Sequence, residues 1–346
     1  MPGVEPGDVI EYRWMEYRDN ELANYLRLHF QREIPVWFVK YSVKPLEIPG
    51  YQQQSLSFRC PHTGFKPEGI GFFSTTLSDV PAFREEPDMP PEDQVRSWVL
   101  LFYTSPTQLE PAKFWEKWGK EQAKEFKKDA RVDDAIKKEA ARLTKDAATS
   151  TENLAKLMQF CLEEIKNIYH DRSGVTAEER EGWNPNRKPS DTLQRRMGTS
   201  NDVNFLFAAL ASASGMEARV ARVAGRNDIF FTKEFRDPFL LNRYNIAVLA
   251  DGDWRFFDLS SPYLAMGMLR WPEEAAEALI CDSDKPVFVM TPLSGPDQTQ
   301  TKREAALRLS EDGALEGEVR ATYTGHEGVV MKSLLDGMTG PERESI

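Results

Sequence analysis

Gly198-Thr199-Ser200-Asn201-Asp202-Val203-Asn204-Phe205-Leu206-Phe207, running on through Ala208 to Gly215, is the stretch on which the fold turns. Small polar residues precede a continuous apolar run, so a helix is predicted from about Asn201 to Ser214. Ser200 or Asn201 serves as its N-cap, and Asp202 is a favourable first-turn charge. Gly215 supplies the left-handed position that ends such a helix. Next come two strand-like runs, Ala218 to Ala224 and Tyr244 to Ala250. Asp251-Gly252 then turns the second run into Trp254 to Phe257, a hairpin signal of good specificity, and Asp258 follows directly. A buried helix leading into antiparallel strands is an α+β arrangement.

Upstream, Pro111 to Tyr169 is dense in Lys, Glu and Ala, with Gly119 its one glycine and no proline after Pro111. That composition favours helix. Leu154, Leu157, Met158, Cys161, Leu162, Ile165 and Ile168 form one apolar stripe, with Thr151 as N-cap. Cys161 therefore reads as a small core residue, and Lys124, Glu125, Lys127 and Lys128 as a solvated face. His170 to Pro189 reads as an irregular excursion. Before residue 105 the pattern changes to short β-like runs: Val9 to Trp14, Tyr25 to Phe30, Val36 to Val43, Leu56 to Arg59, Gly71 to Thr75 and Ser97 to Tyr103. They predict an antiparallel sheet or sandwich, with a domain boundary near Ser105 to Gln108.

Downstream of Asp258 a short helix is expected over Glu273 to Leu279 and a strand over Val287 to Thr291. Pro292 to Gln300 reads as a linker. Ala306 to Ser310 and Leu315 to Thr324 alternate around Asp312-Gly313 and open a third, β-type domain that two or three strands cannot complete. The expected domains are thus residues 1–105, 106–292 and 301–346.

The 346 residues carry 44 Lys and Arg against 55 Asp and Glu, a net charge of −11, which disfavours nucleic acid and anionic lipid as partners. No apolar stretch reaches the roughly 20 residues of a membrane span. The first ten residues have neither a basic nor an apolar region, so this N-terminus predicts no signal peptide. Cys60, Cys161 and Cys281 are too scattered for a disulfide framework or a zinc site. Cys60 and His62 share one loop without a further ligand, and Asp282-Ser283-Asp284 lacks the glycine and distal glutamate of a calcium loop. No metal or other cofactor is expected.

The order of these elements resembles bacterial transglutaminase-like proteins that carry an N-terminal domain of unknown function, DUF3857. Pro2-Gly3-Val4-Glu5-Pro6-Gly7-Asp8-Val9-Ile10-Glu11-Tyr12 is similar to that domain's internal strand motif, and so is Val80-Pro81-Ala82-Phe83-Arg84-Glu85-Glu86-Pro87-Asp88-Met89-Pro90. Pro262-Tyr263-Leu264 and Leu269-Arg270-Trp271-Pro272 are family-like as well. The resemblance implies a papain/transglutaminase-like core flanked by β domains, a chain that is a fragment of a longer protein, and a periplasmic or cell-envelope location.

In that family a cysteine at a helix N-terminus faces a histidine on the adjacent strand, which an aspartate orients. The resemblance places Ser200 where the cysteine is expected, Arg243 where the histidine is expected, with Tyr244 or Asn245 as register alternatives, and Asp258 as the aspartate. The remaining histidines are His29, His62, His170 and His326, none of them between His170 and His326. A serine without an adjacent base is a poor nucleophile, and arginine cannot act as that base. The expectation is a catalytically inactive core. It binds a peptide or protein partner in a groove between the Ser200 helix and the Arg243 strand, with Trp183, Tyr244, Asn245, Phe257 and Tyr263 as contact residues. Asp258 is expected to cap a turn or to pair with Arg243 or Arg222. The alternative is a hydrolase or acyltransferase acting on peptide amide bonds through Ser200, with His170 folded back across the groove as base.

Overall fold

The computed structural model describes residues 3, 5, 7–13, 15, 24–60, 64–105, 109–170, 173–229 and 231–345. The fold is α+β, built from helices and antiparallel sheets, and the chain divides into two compact units, Met1–Thr107 and Gln108–Ile346.

The first unit contains β1 (Leu26–His29), β2 (Val36–Val43), β3 (Gln52–Phe58), β4 (Lys66–Gly69), β5 (Phe72–Val80), α1 (Glu92–Val95) and β6 (Trp98–Thr104). They form two three-stranded antiparallel sheets, β1-β6-β3 and β2-β5-β4. Trp98 to Tyr103 of β6 are all buried, as a strand covered on both faces requires. Trp98 stacks on Phe58 with ring centroids 4.3 Å apart and donates its indole N–H to the Asp93 carbonyl at 2.8 Å. Leu28, Val99 and Leu101 of one sheet pack with Val39 and Val80 of the other, so the sheets share a core.

Two expectations change in this unit. Residues 9–13 form no strand and Val9 is 95% exposed, while Trp14 lies outside the described residues. Alternation alone does not make a strand without an edge to pair with. β4, with the sequence Lys-Pro-Glu-Gly, gave no strand signal; it is an exposed edge strand, where a proline is tolerated.

The second unit begins with α2 (Pro111–Asp129), α3 (Asp134–Thr144), α4 (Ser150–Glu164), β7 (Lys166–Asn167), α5 (Ala177–Glu181), α6 (Pro189–Arg195), β8 (Met197–Gly198) and α7 (Ser200–Ala213). It continues with β9 (Glu217–Val223), β10 (Arg243–Ala250), β11 (Asp253–Phe257), β12 (Glu277–Ile280) and β13 (Val287–Met290). These five strands form one antiparallel sheet in the order β11-β10-β9-β12-β13. Val203, Leu206, Phe207 and Leu210 of α7 are buried in a core shared with Leu154, Leu157 and Cys161 of α4 and with Val220, Ile246, Val248 and Phe257 of the sheet. The expected stripe holds from Leu154 to Leu162, but α4 ends at Glu164, so Ile165 and Ile168 lie beyond the helix. Its cap is Thr149, which accepts from Glu152 N at 3.1 Å; the Thr151 hydroxyl instead accepts from Arg255.

The helix expected over Glu273 to Leu279 is replaced by a 3₁₀ turn at Trp271–Glu273 and by strand β12. Ala275 takes a positive φ of 48°, which no helix interior accommodates, and β12 is paired on both sides, by β9 and β13. Sheet pairing overrides the helical preference of Glu-Ala-Ala-Glu-Ala. Beyond the sheet lie β14 (Thr301–Leu309) and β15 (Leu315–Tyr323), a hairpin around Asp312-Gly313, followed by α8 (Gly325–Asp336) and α9 (Gly340–Glu344). Among the described residues no helix is long and apolar enough to cross a membrane.

Candidate functional site

The N-terminus of α7 is held from two sides. β7 and β8 run parallel with Asn167 opposite Gly198, which brings the segment after α4 to the residue that leads into α7. A Cβ on Gly198 would lie 2.6 Å from Asp202 Cβ and 2.9 Å from Asn186 Nδ2, so glycine is required by close approach. Thr199, rather than Ser200 or Asn201, is the N-cap. Its hydroxyl accepts from Asp202 N at 3.2 Å, and Asp202 Oδ2 accepts from Thr199 N at 2.8 Å. With capping done by its neighbour, the Ser200 hydroxyl is released from that role. It accepts instead from Asn167 Nδ2 at 2.9 Å.

Asn167 Oδ1 accepts from Tyr169 N at 3.1 Å, which fixes the amide with its nitrogen toward Ser200. The same nitrogen lies 3.1 Å from His170 Nε2, which is also 2.8 Å from the Ser260 carbonyl oxygen. A carbonyl oxygen only accepts, so Nε2 carries the hydrogen and donates. His170 thus reaches the amide that holds Ser200, with Asn167 Nδ2 between the imidazole and the hydroxyl. The ring nitrogen nearest the cluster is nevertheless a donor there, not a base.

Asp258 is 3% exposed. Its Oδ1 accepts from Asn204 Nδ2 at 3.3 Å and from Ser260 N at 3.0 Å, while Asn204 Oδ1 accepts from Leu259 N at 2.8 Å. Oδ2 lies 3.0 Å from Arg270 Nε, an ion pair not aligned as a hydrogen bond. Arg270 Nη2 reaches Glu273 Oε1 at 2.5 Å, and Glu273 Oε2 accepts from Asn245 Nδ2 at 3.0 Å. The cation on Asp258 is therefore Arg270, from the Leu269-Arg270-Trp271-Pro272 segment, and not Arg243 or Arg222. Arg222 lies on the helix-facing side, its guanidinium 5.6 Å from the Trp118 ring and 5.9 Å from that of Tyr244. Residue spacing in sequence identified the neighbourhood, but the turn at 270–273 folds back over Asp258 from outside it.

Burial holds the Glu273 carboxyl above its usual range, and the nearby Asp258 charge adds to this, while Arg270 and Asn245 oppose it. At pH 7 the unfolded chain ionises this group freely and the folded chain does so at a cost. Glu273→Gln is accordingly expected to raise the melting temperature at pH 7. The gain should shrink as pH falls from the raised folded-state value to the ordinary carboxyl range, below which both states bind the proton. A variant less stable than the parent at pH 7 would contradict this reading of the cluster.

The five expected contact residues are not gathered into a groove. Phe257 is 2% exposed, with its ring 4.8 Å from that of Phe207, and Asn245 is fully buried on Glu273. Tyr244 packs edge-on to Phe205, and burial pushes its phenol pKa up. Trp183 is half-buried beneath the Arg195 guanidinium. Tyr263 bonds to Asp336 of α8 and lies under Lys332. A cleft of about 340 Å³ opens elsewhere beside Ser200's partners, lined by Leu162, Glu163, Ile165, Lys166, Asn167, His170 and Ser173. Asn167 was not singled out in the sequence. Its signal is the Asn-x-x-His spacing directly after the α4 stripe.

The other cysteines and histidines among the described residues are buried or already partnered. Cys161 is buried and its thiol pushed up by desolvation; burial raises Cys281 to about 12. Cys60 donates to the Phe58 and Trp98 carbonyls at 3.2 Å, and His62 lies outside the described residues. His29 pairs with Asp93 at 2.7 Å and His326 with Glu274 at 3.1 Å. Among the described residues no group of three or more His, Cys, Asp and Glu is placed to hold a metal ion.

No family model matches the chain, and no curated protein matches it. Two solved structures are similar to it. The crystal structure of a putative protease from Parabacteroides distasonis ATCC 8503 is 13% identical with a TM-score of 0.45, the match covering 83% of this chain and 54% of that one. The structure of a putative cysteine protease from Cytophaga hutchinsonii is 14% identical with a TM-score of 0.27, covering 68% of this chain and 74% of that one. The chain thus spans about half the length of the first.

Proposed function

We propose that residues 106–292 form a papain/transglutaminase-like core with a degenerate triad, and that it binds a peptide or protein partner at the Ser200 end of α7. One observation carries this reading: the side chains at the expected cysteine and aspartate positions, Ser200 and Asp258, are both already engaged. The Ser200 hydroxyl is held by Asn167, and the Asp258 carboxylate is held by Asn204, Ser260 N and Arg270. A serine nucleophile needs a base in hydrogen-bond reach, and the imidazole beside Asn167 presents a donor. The cleft lined by Asn167 and His170 offers the partner a partly apolar wall at Leu162 and Ile165, with the opposite charges of Glu163 and Lys166 beside it. Within the same reading, residues 1–105 are a DUF3857-like domain, 106–292 the core and 301–346 the start of a further β domain, in a protein of the bacterial cell envelope.

Incubation with peptide amide and peptide ester substrates tests the inactive assignment. Neither the parent nor Ser200→Ala is expected to turn them over above the uncatalysed rate. Turnover that Ser200→Ala abolishes would overturn it in favour of the second reading, a hydrolase or acyltransferase working through Ser200. That reading has one observation behind it, the 3.1 Å approach of His170 Nε2 to the amide nitrogen that holds Ser200. It requires His170 to leave the Ser260 carbonyl and present a free nitrogen lone pair to the serine.

A further inference from the structure

β3 lies at one end of the sheet β1-β6-β3, and among the described residues β6 is its one strand partner. An edge of this kind presents a row of open backbone N–H and C=O groups, which proteins guard with charges, prolines, bulges or short length. The other edges of this unit are guarded. β1 is four residues long and carries Arg27 and His29, both paired with Asp93, and β2 carries Lys40, paired with Glu68. β4 contains Lys66, Pro67 and Glu68 and shifts register between Pro67 and Gly69. β3, from Gln52 to Phe58, has no charge and no proline and keeps an unbroken register with β6 along its whole length.

A cavity of about 670 Å³ runs beside it, lined by Gln52, Gln53, Gln54 and Ser55 in succession. Side chains alternate between the two faces of a strand, so four consecutive residues share one cavity where it wraps the strand's edge. β6 occupies one edge of β3, and the cavity follows the other. The remaining wall is largely apolar, with Leu46, Ile48, Phe65, Phe73 and Leu101. The Tyr103 hydroxyl accepts from Leu46 N at 2.9 Å and from Gln53 Nε2 at 3.4 Å, which ties the 45–49 loop to the sheet. β3 itself leaves the space unfilled. Ser55 and Ser57 stand opposite Leu101 and Val99, on the face from which those two residues enter the core shared by the sheets. Where β6 sends valine and leucine inward, β3 sends serine, and Phe73 and Leu46 remain 37% and 52% exposed.

We propose that β3 is the docking edge for an extended segment of a protein partner, which pairs with its backbone as an added strand and turns alternate apolar side chains into the cavity. The open edge supplies main-chain hydrogen bonds, and the cavity selects every second side chain. Its volume falls within the roughly 300–1,000 Å³ of built ligand sites. Glu47 is the one charged residue on the described lining, which favours a basic residue flanking the apolar run. A second copy continuing the sheet through its own β3 would bring only Gln53 and Ser55 to the same space and leave the apolar wall uncovered. The surface belongs to the first unit and does not depend on the function proposed for the Ser200 end of α7.

The test uses the 346-residue chain and a fluorescein-labelled, amidated peptide, Lys-Thr-Val-Thr-Leu-Thr-Val-Thr, read by fluorescence anisotropy. One control is the isomer Lys-Thr-Thr-Val-Leu-Val-Thr-Thr, which breaks the alternation, and the other is the first peptide N-methylated throughout, which removes its backbone donors. Each control is expected to bind about tenfold or more weakly than the alternating peptide. Ser55→Phe fills the cavity from β3 itself and should abolish binding, with a melting temperature at or above the parent's. Ser55→Lys, a guarding charge on the edge, should weaken binding as well. Equal binding of either control would overturn strand pairing in favour of a simple apolar pocket. A folded Ser55→Phe that binds as well as the parent would put the peptide elsewhere and overturn the site. Self-association that Ser55→Phe abolishes, without binding of the peptide, would make the occupant a second copy. No binding at millimolar peptide would remove the docking edge.

Discussion

Arg270→Ala is expected to lower the stability of the second unit by about 3 kcal/mol, because it leaves two buried carboxylates facing each other without a cation. Asp258 and Glu273 side chains are each 1% exposed, so solvent cannot replace the guanidinium on them. The arginine itself is 37% exposed, which puts the loss at the lower end of that seen when a buried pair is broken. For a unit of this size about 2–4 °C of melting temperature is lost per kcal/mol, so a drop of about 6–12 °C should appear in calorimetry at pH 7. The loss should narrow in acid as the carboxylates take up protons. Adding Glu273→Gln should restore part of it, since one of the two uncompensated charges is then gone. A melting temperature unchanged by Arg270→Ala would mean that the cluster is hydrated and that Asp258 is open to other partners, which would reopen the catalytic reading.

Phe207→Ala is expected to cost about 3–5 kcal/mol, the range for emptying a buried aromatic site. Phe207 is fully buried on α7 and its ring sits 4.8 Å from that of Phe257 on β11, so the contact joins the helix bearing Ser200 to the strand that leads into Asp258. The surrounding helix turns carry Leu206, Ala208, Ala209 and Leu210, all buried, and have little freedom to collapse into the space. Chemical denaturation should show the midpoint falling with the slope unchanged, and Phe207→Leu should recover more than half of the loss. A cost under about 1 kcal/mol would place the weight of helix–sheet packing elsewhere.

Both variants act on the framework that sets the distance between Ser200 and Asp258, and they separate two kinds of support. Arg270 is polar and pH-dependent, while Phe207 is apolar and indifferent to pH. The binding surface is a third matter. The aromatic residues expected to line a groove are mostly committed to packing: Phe257 to the core, Tyr244 to Phe205 and Tyr263 to α8. Aromatics close in sequence to a candidate site are as useful to the core as to a ligand, and only the direction of each side chain distinguishes the two.

What the residues determined by themselves is the local and periodic part of the fold. The apolar run after Ser200 specified a buried helix, Gly215 ended it, Asp251-Gly252 turned the hairpin, and the α4 stripe made a core face. Each is decided by neighbours in the chain. They also determined that the helix start carries a serine and that histidine is absent from β10, which bounds the chemistry before any coordinate is known. The tertiary structure alone decided the pairing of β12, which turned an expected helix into a strand, because hydrogen bonds to β9 and β13 outweigh the propensity of a short Ala- and Glu-rich segment. It alone assigned the α7 cap to Thr199 and so left the Ser200 hydroxyl to Asn167, 33 residues away in sequence. It alone chose Arg270 over Arg243 as the cation on Asp258. Charge pairing depends on which side chains converge through space, and a turn returning from twelve residues downstream reached Asp258 while Arg243 was left facing Gly225.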